Sequence, residues 1–528
     1  MSSKNKTNDK QSLKNIFYIW VNRLLLILTP IVTTPIITKF FGLEIAGIWF
    51  LASIFASQLL LLEIGISTSL VRLLARDDIF NSIKNTKEII ATAFITLTFI
   101  SLIILALMPV ISNFFLTSFN ISLDVQSDAS KLIKFAIISI VLNLPLRIGY
   151  SILASRHLFD KVQIIDTLGI FIRLFGIVIA FTFFSPSLFL LGIIVFGSSI
   201  VVSVLTFIKA KKLLSIKFLD LNFKNFSFES WKLVVSLSGA AFFVSLGGIL
   251  LLQFSSTLVG YFLELKYVSI MAIPIMIYNS LTPFFQTIPT ISSPIAAGVS
   301  NDKEKNYLQM QFHLYSGYTT SIALLCVLGL MTAGKPLLIL WLSSEAVSNE
   351  DIYQMLDILI IVFTAYAFSS IAPLGRSVLM STGFHWKIAY IEFSSSILGI
   401  LVGLLLMIYL NLGIIGMSIG IGSTLLLRGF IFYPKVLAYY FELYPLHIIK
   451  NSVLNAILVF LFLLLVMQIF DLSPLFLDSN LLEELFQFII LFILWLSFNF
   501  YFILSKEHKL KIVHYFNTKK IYKHDRNR

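Results

Sequence analysis

Fourteen apolar runs follow one another along this chain. Each is close to the roughly 20 residues that a helix needs to cross a hydrocarbon layer about 30 Å thick. They lie near residues 16–38, 45–70, 89–115, 131–154, 162–184, 186–208, 231–262, 268–293, 308–333, 353–378, 388–409, 413–433, 450–470 and 487–504. In lipid every backbone N–H and C=O must find its partner within the protein, and runs of this length do so as helices. The expected fold is an all-α polytopic membrane protein with about 14 transmembrane helices. Composition agrees: 58% of the residues are hydrophobic and only 12% are charged, against about 25% charged in soluble domains. The first run exceeds a signal-peptide core and no small-x-small cleavage site follows it, so it reads as an uncleaved first helix.

The formal net charge of +12 does not point to nucleic acid, because the basic residues are scattered through short connections between apolar runs. That dispersal is the pattern of orientation signals. With the N-terminal segment 1–15 inside, the inner connections carry Arg72, Arg76, Lys84, Lys87, Arg156, Lys161, Lys209, Lys211, Lys212, Lys217, Lys303, Lys305, Lys387 and Lys435. A basic tail, 505–528, adds Lys506, Lys509 and Lys511 among others and is expected to rest on anionic head groups. The opposite connections offer few basic residues and collect Asp124, Glu345, Glu350 and Asp478. One fourteen-helix assignment therefore satisfies the positive-inside rule, with both termini cytoplasmic.

An internal repeat organises the helices. Ser151–Asp166 reads SILASRHLFDKVQIID and Ser377–Glu392 reads SVLMSTGFHWKIAYIE, with identities that include Ser151/Ser377, Ser155/Ser381 and Lys161/Lys387. FGSSI at 196–200 echoes IGSTL at 421–425 at nearly the same offset. The matches fall on the fifth and eleventh, and the sixth and twelfth, helices. Expected from this are two pseudo-symmetric six-helix lobes, 16–208 and 231–433, joined by a cytoplasmic linker at 209–230, with two further helices at 450–504.

Charges inside the apolar runs cost roughly 2.5–3.5 kcal/mol each on insertion scales, so each needs a reason. They are Arg23, Glu63, Arg147, Asp166, Arg173, Glu392 and Arg428. Asp166 and Arg173 are two turns apart and share a helix face. One reading makes Arg23, Arg147 and Arg173 the wall of a water-filled cavity between the lobes, where forked guanidinium donors hold an anionic group. Glu63, Asp166 and Glu392 then serve as proton- or sodium-coupling sites or orient the arginines. The other reading is structural. Glu63 neutralises Arg23 as a buried pair, Arg428 snorkels, and Asp166 and Glu392 bond Lys161, Lys387 or nearby backbone. Pro30 and Pro35 in the first helix, and Pro274, Pro283 and Pro289 in the eighth, remove helix hydrogen bonds and mark bends.

Catalysis finds no support. The single cysteine, Cys326, allows no disulfide within a monomer, the seven histidines are isolated, and no His/Cys metal cluster is present. No Gly-rich phosphate loop followed by Lys-Ser/Thr occurs, and no cofactor is expected.

The stretch TPIITKFFGLEIAGIWFLASIFASQLLLLEIGISTSLVRLLAR, ending at Arg76, resembles the start of the Wzx-type polysaccharide flippases. The matched features are a Pro before a basic residue and Gly42, then Glu44, Gly47, Glu63–Gly65 and Arg72. GKPLLILWL at 334–342, STGFHWK, and NLGIIGMSIG at 411–420 are similar to the family's second lobe. The family departs in having an aspartate more usually where Glu63 stands. It belongs to the MATE/MOP superfamily, with multidrug extruders and the lipid II flippase. The resemblance implies alternating access around a cationic cavity. The cargo would be an undecaprenyl-diphosphate-linked oligosaccharide, moved to the outer leaflet of the bacterial inner membrane for O-antigen, capsule or other surface polysaccharide. It implies membrane lipids, a coupling proton or sodium ion, a polysaccharide polymerase and a chain-length regulator as partners, and a monomer. A multidrug extruder and a lipid II-type flippase are the nearest alternatives. A membrane-embedded polymerase fits less well, because the longest outer loop has only about 20 residues.

Overall fold

The computed structural model describes residues 2–76, 82–214, 221–297, 302–342, 347–469 and 481–502. Among them no strand occurs. Lys217, Glu345, Asp478 and the tail 505–528 lie outside the described residues.

The helices are α1 (Ser2–Leu74), α2 (Ile83–Ser118), α3 (Leu123–Leu146), α4 (Ile148–Ser155), α5 (Phe159–Phe183) and α6 (Leu188–Leu214). They continue with α7 (Phe228–Ile249), α8 (Ser255–Phe262), α9 (Leu265–Ala297), α10 (Asp302–Leu342), α11 (Asn349–Phe368) and α12 (Ile371–Ser381). The last are α13 (His385–Leu404), α14 (Gly413–Leu427), α15 (Tyr433–Phe441), α16 (Pro445–Ile469) and α17 (Leu481–Phe502). Among the described residues 12 helical stretches are long and apolar enough to cross a membrane. The first, Phe17–Leu74, holds two spans, because α1 breaks at Gly42 with φ 69 and ψ 175. A side chain is disfavoured at that positive φ, so glycine is what lets the chain turn there. The shorter apolar helix Phe486–Asn499 lies within α17. The protein is a multi-pass membrane protein, and rings of exposed Phe, Leu and Ile such as Phe99, Leu102, Phe175 and Leu401 face outward, as lipid contact requires.

The described residues group into two compact units. One draws on Met1–Met276, Trp341–Ser348 and Glu392–Ile397; the other on Ile277–Leu340, Asn349–Ile391 and Leu398–Arg528. In the first, α1 packs beside α3, α4, α5 and α7, and α3 beside α2 and α6. Its core holds Trp49, Phe115, Leu132 and Val268, with a further cluster around Leu70, Leu97, Ile148 and Leu153. Gly47 lies so close to the Leu265 carbonyl that a Cβ would sit 2.3 Å from its oxygen. Pro35 has no N–H to give the Ile31 carbonyl, and the Trp341 indole donates to that oxygen instead, at 2.7 Å.

In the second unit, α16 and α17 pack on α10 through Leu328, Val459, Leu463 and Leu491. Ser321 donates to Asn499 Oδ1 and accepts from Trp495 Nε1 at 3.0 Å. Gly399 and Gly403 of α13 meet Gly420 of α14 so closely that a Cβ at Gly420 would lie 2.5 Å from the Gly399 carbonyl oxygen, while Gly416 packs on Leu406 and Met407. Small residues spaced by four bring helix backbones together in this way.

The repeat is written into the backbone. α4 ends at Ser155 and α12 at Ser381, while α5 begins at Phe159 and α13 at His385, all at one constant offset. Both corners close by paired bonds. Leu158 N–H reaches Leu153 O at 3.1 Å and His157 N–H reaches Ala154 O at 3.0 Å; Phe384 N–H reaches Leu379 O at 2.9 Å and Gly383 N–H reaches Met380 O at 3.4 Å. The residue with positive φ is His157 in one copy and Gly383 in the other. This is the helix-ending motif that places a left-handed residue after the last turn.

Candidate functional site

Helical spacing assembles a polar cavity inside the first unit. From α1 come Asn22, Leu26 and Leu60; from α3 and its end, Asn143 and Arg147; from α5, Asp166, Gly169, Ile170 and Arg173; from α6, Ser199, Val202 and Ser203. Residues three, four and seven apart fall on one helix face, so each helix contributes a single stripe. The cavity holds about 220 Å³, several times the ~30 Å³ share of a water in the liquid.

Arg147 sits in the break between α3 and α4, two residues after Pro145. Proline leaves a carbonyl four residues back without its helix partner and bends the segment, which sets Arg147 at a corner. Its Nε lies 2.9 Å from Glu63 Oε2. The N–H is not well aligned with the carboxylate, so the contact is coulombic more than a directed hydrogen bond. Glu63 is only 3% exposed and also accepts from the Ser67 hydroxyl one turn on. The Arg147 side chain is 43% exposed. Thus the Nε end is pinned by Glu63 while the side chain still reaches the cavity, and a buried carboxylate is neutralised.

Arg173 reaches the same cavity from α5, and its Nε has no hydrogen-bond partner among the described residues. Asp166 stands two turns earlier on that face. Two guanidiniums and the Asp166 carboxylate therefore share the space, with Glu63 held against one of the guanidiniums. An anion with oxygens in a fork geometry fits that donor set.

The structure gathers Arg147, Arg173, Asp166 and Glu63 at this place. Arg23 lies elsewhere. It is exposed, with its guanidinium carbon 5.6 Å from the Trp20 ring centre, and its neighbour Asn22 turns inward to donate to Thr167 Oγ1 at 3.2 Å. One residue step rotates a helical side chain by about 100°, which separates the two. Glu63 pairs with Arg147, not with Arg23. Glu392 is buried away from the cavity against α7, where a Cβ on Gly247 would lie 2.6 Å from its carbonyl carbon. Arg428 is 8% exposed, in a π-helical turn at Arg428–Phe432, and so does not snorkel. By the repeat offset that pairs Asp166 with Glu392, Arg173 corresponds to Gly399, which is packed against Gly420. The face that carries charge on α5 is one of close glycine contact on α13.

Sequence reasoning passed over Asn22, Asn143, Ser199 and Ser203. The signal was there for two of them. Asn143 is one turn before Arg147, and Ser199 lies in the FGSSI segment already singled out as part of the repeat.

The fold, with a charged cavity in its first unit, is similar to that of solved membrane transporters. Over 92% of its length the chain is similar to the lipid II flippase MurJ in an inward closed conformation, with a TM-score of 0.67, 16% identity and 97% of that chain covered. It is similar to an inward-facing multidrug resistance MATE family transporter of the MOP superfamily, with a TM-score of 0.60 and 14% identity over 78% of this chain and 96% of that one. The eukaryotic MATE transporter AtDTX14 gives a TM-score of 0.56 and 14% identity, with 85% and 99% covered. These neighbours are a flippase and two transporters. No protein-family model matches the sequence, and no curated protein matches it.

Proposed function

We propose that this chain is a flippase for a lipid-linked pyrophosphate bearing an oligosaccharide. The cargo is an undecaprenyl-diphosphate-linked repeat unit, carried from the cytoplasmic to the outer leaflet of the bacterial inner membrane for O-antigen, capsule or another surface polysaccharide. The observation that carries the proposal is the meeting of Arg147 and Arg173 in one cavity, with Glu63 held against Arg147. A pyrophosphate presents several anionic oxygens, and forked donors bind it in two directions at once. Both ends of the chain are placed in the cytoplasm by the distribution of basic residues. The protein acts as a monomer, and a polysaccharide polymerase with its chain-length regulator takes the product. Asp166 is the carboxylate left to exchange a coupling proton or sodium ion when the anion enters or leaves. Arg23 and Glu392 have no part in holding the cargo.

A lipid II-type cargo is the second reading, favoured by the similarity to MurJ along nearly the whole chain. It presents the same pyrophosphate to the same arginines. A multidrug extruder of organic cations fits less well, because Glu63 is held against Arg147 and leaves Asp166 as the carboxylate lining the cavity. Deleting the gene and locating the accumulated intermediate tests the proposal. It predicts a lipid-linked repeat unit trapped on the inner leaflet. Intact surface glycan with altered dye efflux would replace it with the extruder reading, and trapped cell-wall precursor would replace it with the lipid II reading.

A further inference from the structure

The uncharged wall of the cavity carries a second chemistry. Ser199 donates its hydroxyl proton to the Phe196 carbonyl at 2.6 Å. Ser139 reaches the same carbonyl at 3.0 Å and lies 3.3 Å from Ser199 Oγ. Each hydroxyl owns one proton, so whichever partner Ser139 chooses, no proton is left for the neighbouring Asn143. Asn143 directs Nδ2 at the Ser139 carbonyl at 2.8 Å, and at Ser139 Oγ and Ser199 Oγ, both at 3.1 Å. A carbonyl can only accept, so these contacts fix which end of the amide is nitrogen. The oxygen end, Oδ1, is left with no hydrogen-bond partner among the described residues, on a side chain 5% exposed that lines the cavity.

A buried acceptor without a donor is unfavourable, and such an atom beside a cavity marks where a donor belongs. The ionised pyrophosphate offers none, since its oxygens only accept. The sugar attached to it offers hydroxyls and, on an N-acetylated sugar, an amide N–H. Asp166 supplies another acceptor on the same cavity. The arginines and the acceptors are thus matched to two adjoining parts of one head group.

We propose that Asn143, beside Asp166, is a specificity-determining residue that accepts a hydrogen bond from the first sugar on the pyrophosphate, so that the cavity distinguishes a loaded carrier from a bare one. This rests on the pyrophosphate reading above. A site built to bond a donor group disfavours the analogue that lacks it, because its own polar atom then stays unfilled.

The test uses the full chain in lipid nanodiscs and two probes, a short polyprenyl pyrophosphate with and without one attached sugar. Wild type is expected to bind the glycosylated probe about tenfold more tightly, the scale of one well-placed hydrogen bond. Asn143→Leu is expected to bring the ratio of the two affinities close to one. Asn143→Asp keeps an acceptor oxygen and is expected to keep a preference. Equal wild-type affinities, a preference that survives in Asn143→Leu, or its loss in Asn143→Asp would overturn the inference and leave the pyrophosphate reading standing. Wild type that binds neither probe defeats both.

Discussion

At the scale of the residue, Glu63 and Arg147 form a unit. Arg147→Ala strands a carboxylate that is 3% exposed, and removing one partner of a buried pair costs more than removing both. The variant is expected to lose about 1–3 kcal/mol of stability, read as a lower melting temperature in detergent. Adding Glu63→Gln to Arg147→Ala should restore part of that loss. Independent additive losses would show that the pair is not coupled. Arg173 has no such partner at Nε, so Arg173→Ala should lower transport at least tenfold while leaving protein abundance unchanged. Fractionated membranes and surface-glycan blots measure the two separately. The charged members of the site were legible as costs in an apolar sequence, and four of the six expected residues come together. Arg23 was misplaced because a charge count along a helix does not say which way the side chain points. Asn143 was passed over because an amide on an apolar helix has no price tag in sequence until its neighbours are known.

At the scale of the element, the helices are shaped by what their backbones lack. Pro35 frees the Ile31 carbonyl and the Trp341 indole takes it up. Trp341→Phe keeps the ring and loses the donor, so it should cost about 1 kcal/mol in stability. A melting temperature equal to wild type would show the bond to be idle. Gly399, Gly403 and Gly420 hold α13 against α14. Gly420→Leu has no room to relax against backbone and should sharply reduce the yield of folded protein in a size-exclusion assay. Element positions were legible because length and hydropathy fix a membrane helix well. The break at Gly42 was legible too, since the apolar runs pause there. The π-helical turns at Leu250–Phe254, Leu405–Tyr409 and Arg428–Phe432 were not, because a single extra residue in a turn leaves no mark in hydropathy.

At the scale of the whole molecule, duplication explains both the likeness and the difference of the two copies. The corner motif at His157 and Gly383 recurs because closing a helix and opening the next makes the same backbone demand each time. The cavity does not recur at the matching face of α13, where Gly399 replaces Arg173 and packs on α14. Duplication was readable from a few identities at one offset. The difference between the matching faces of α5 and α13 was not, because it depends on which face each helix buries. The measurement that bears most directly on the account is transbilayer movement of a polyprenyl-pyrophosphate-linked sugar in vesicles holding the purified chain. Wild type should accelerate it, and Arg147→Ala and Arg173→Ala, each folded and correctly inserted, should not. Movement at the wild-type rate in both variants would contradict the claim that these guanidiniums hold the cargo.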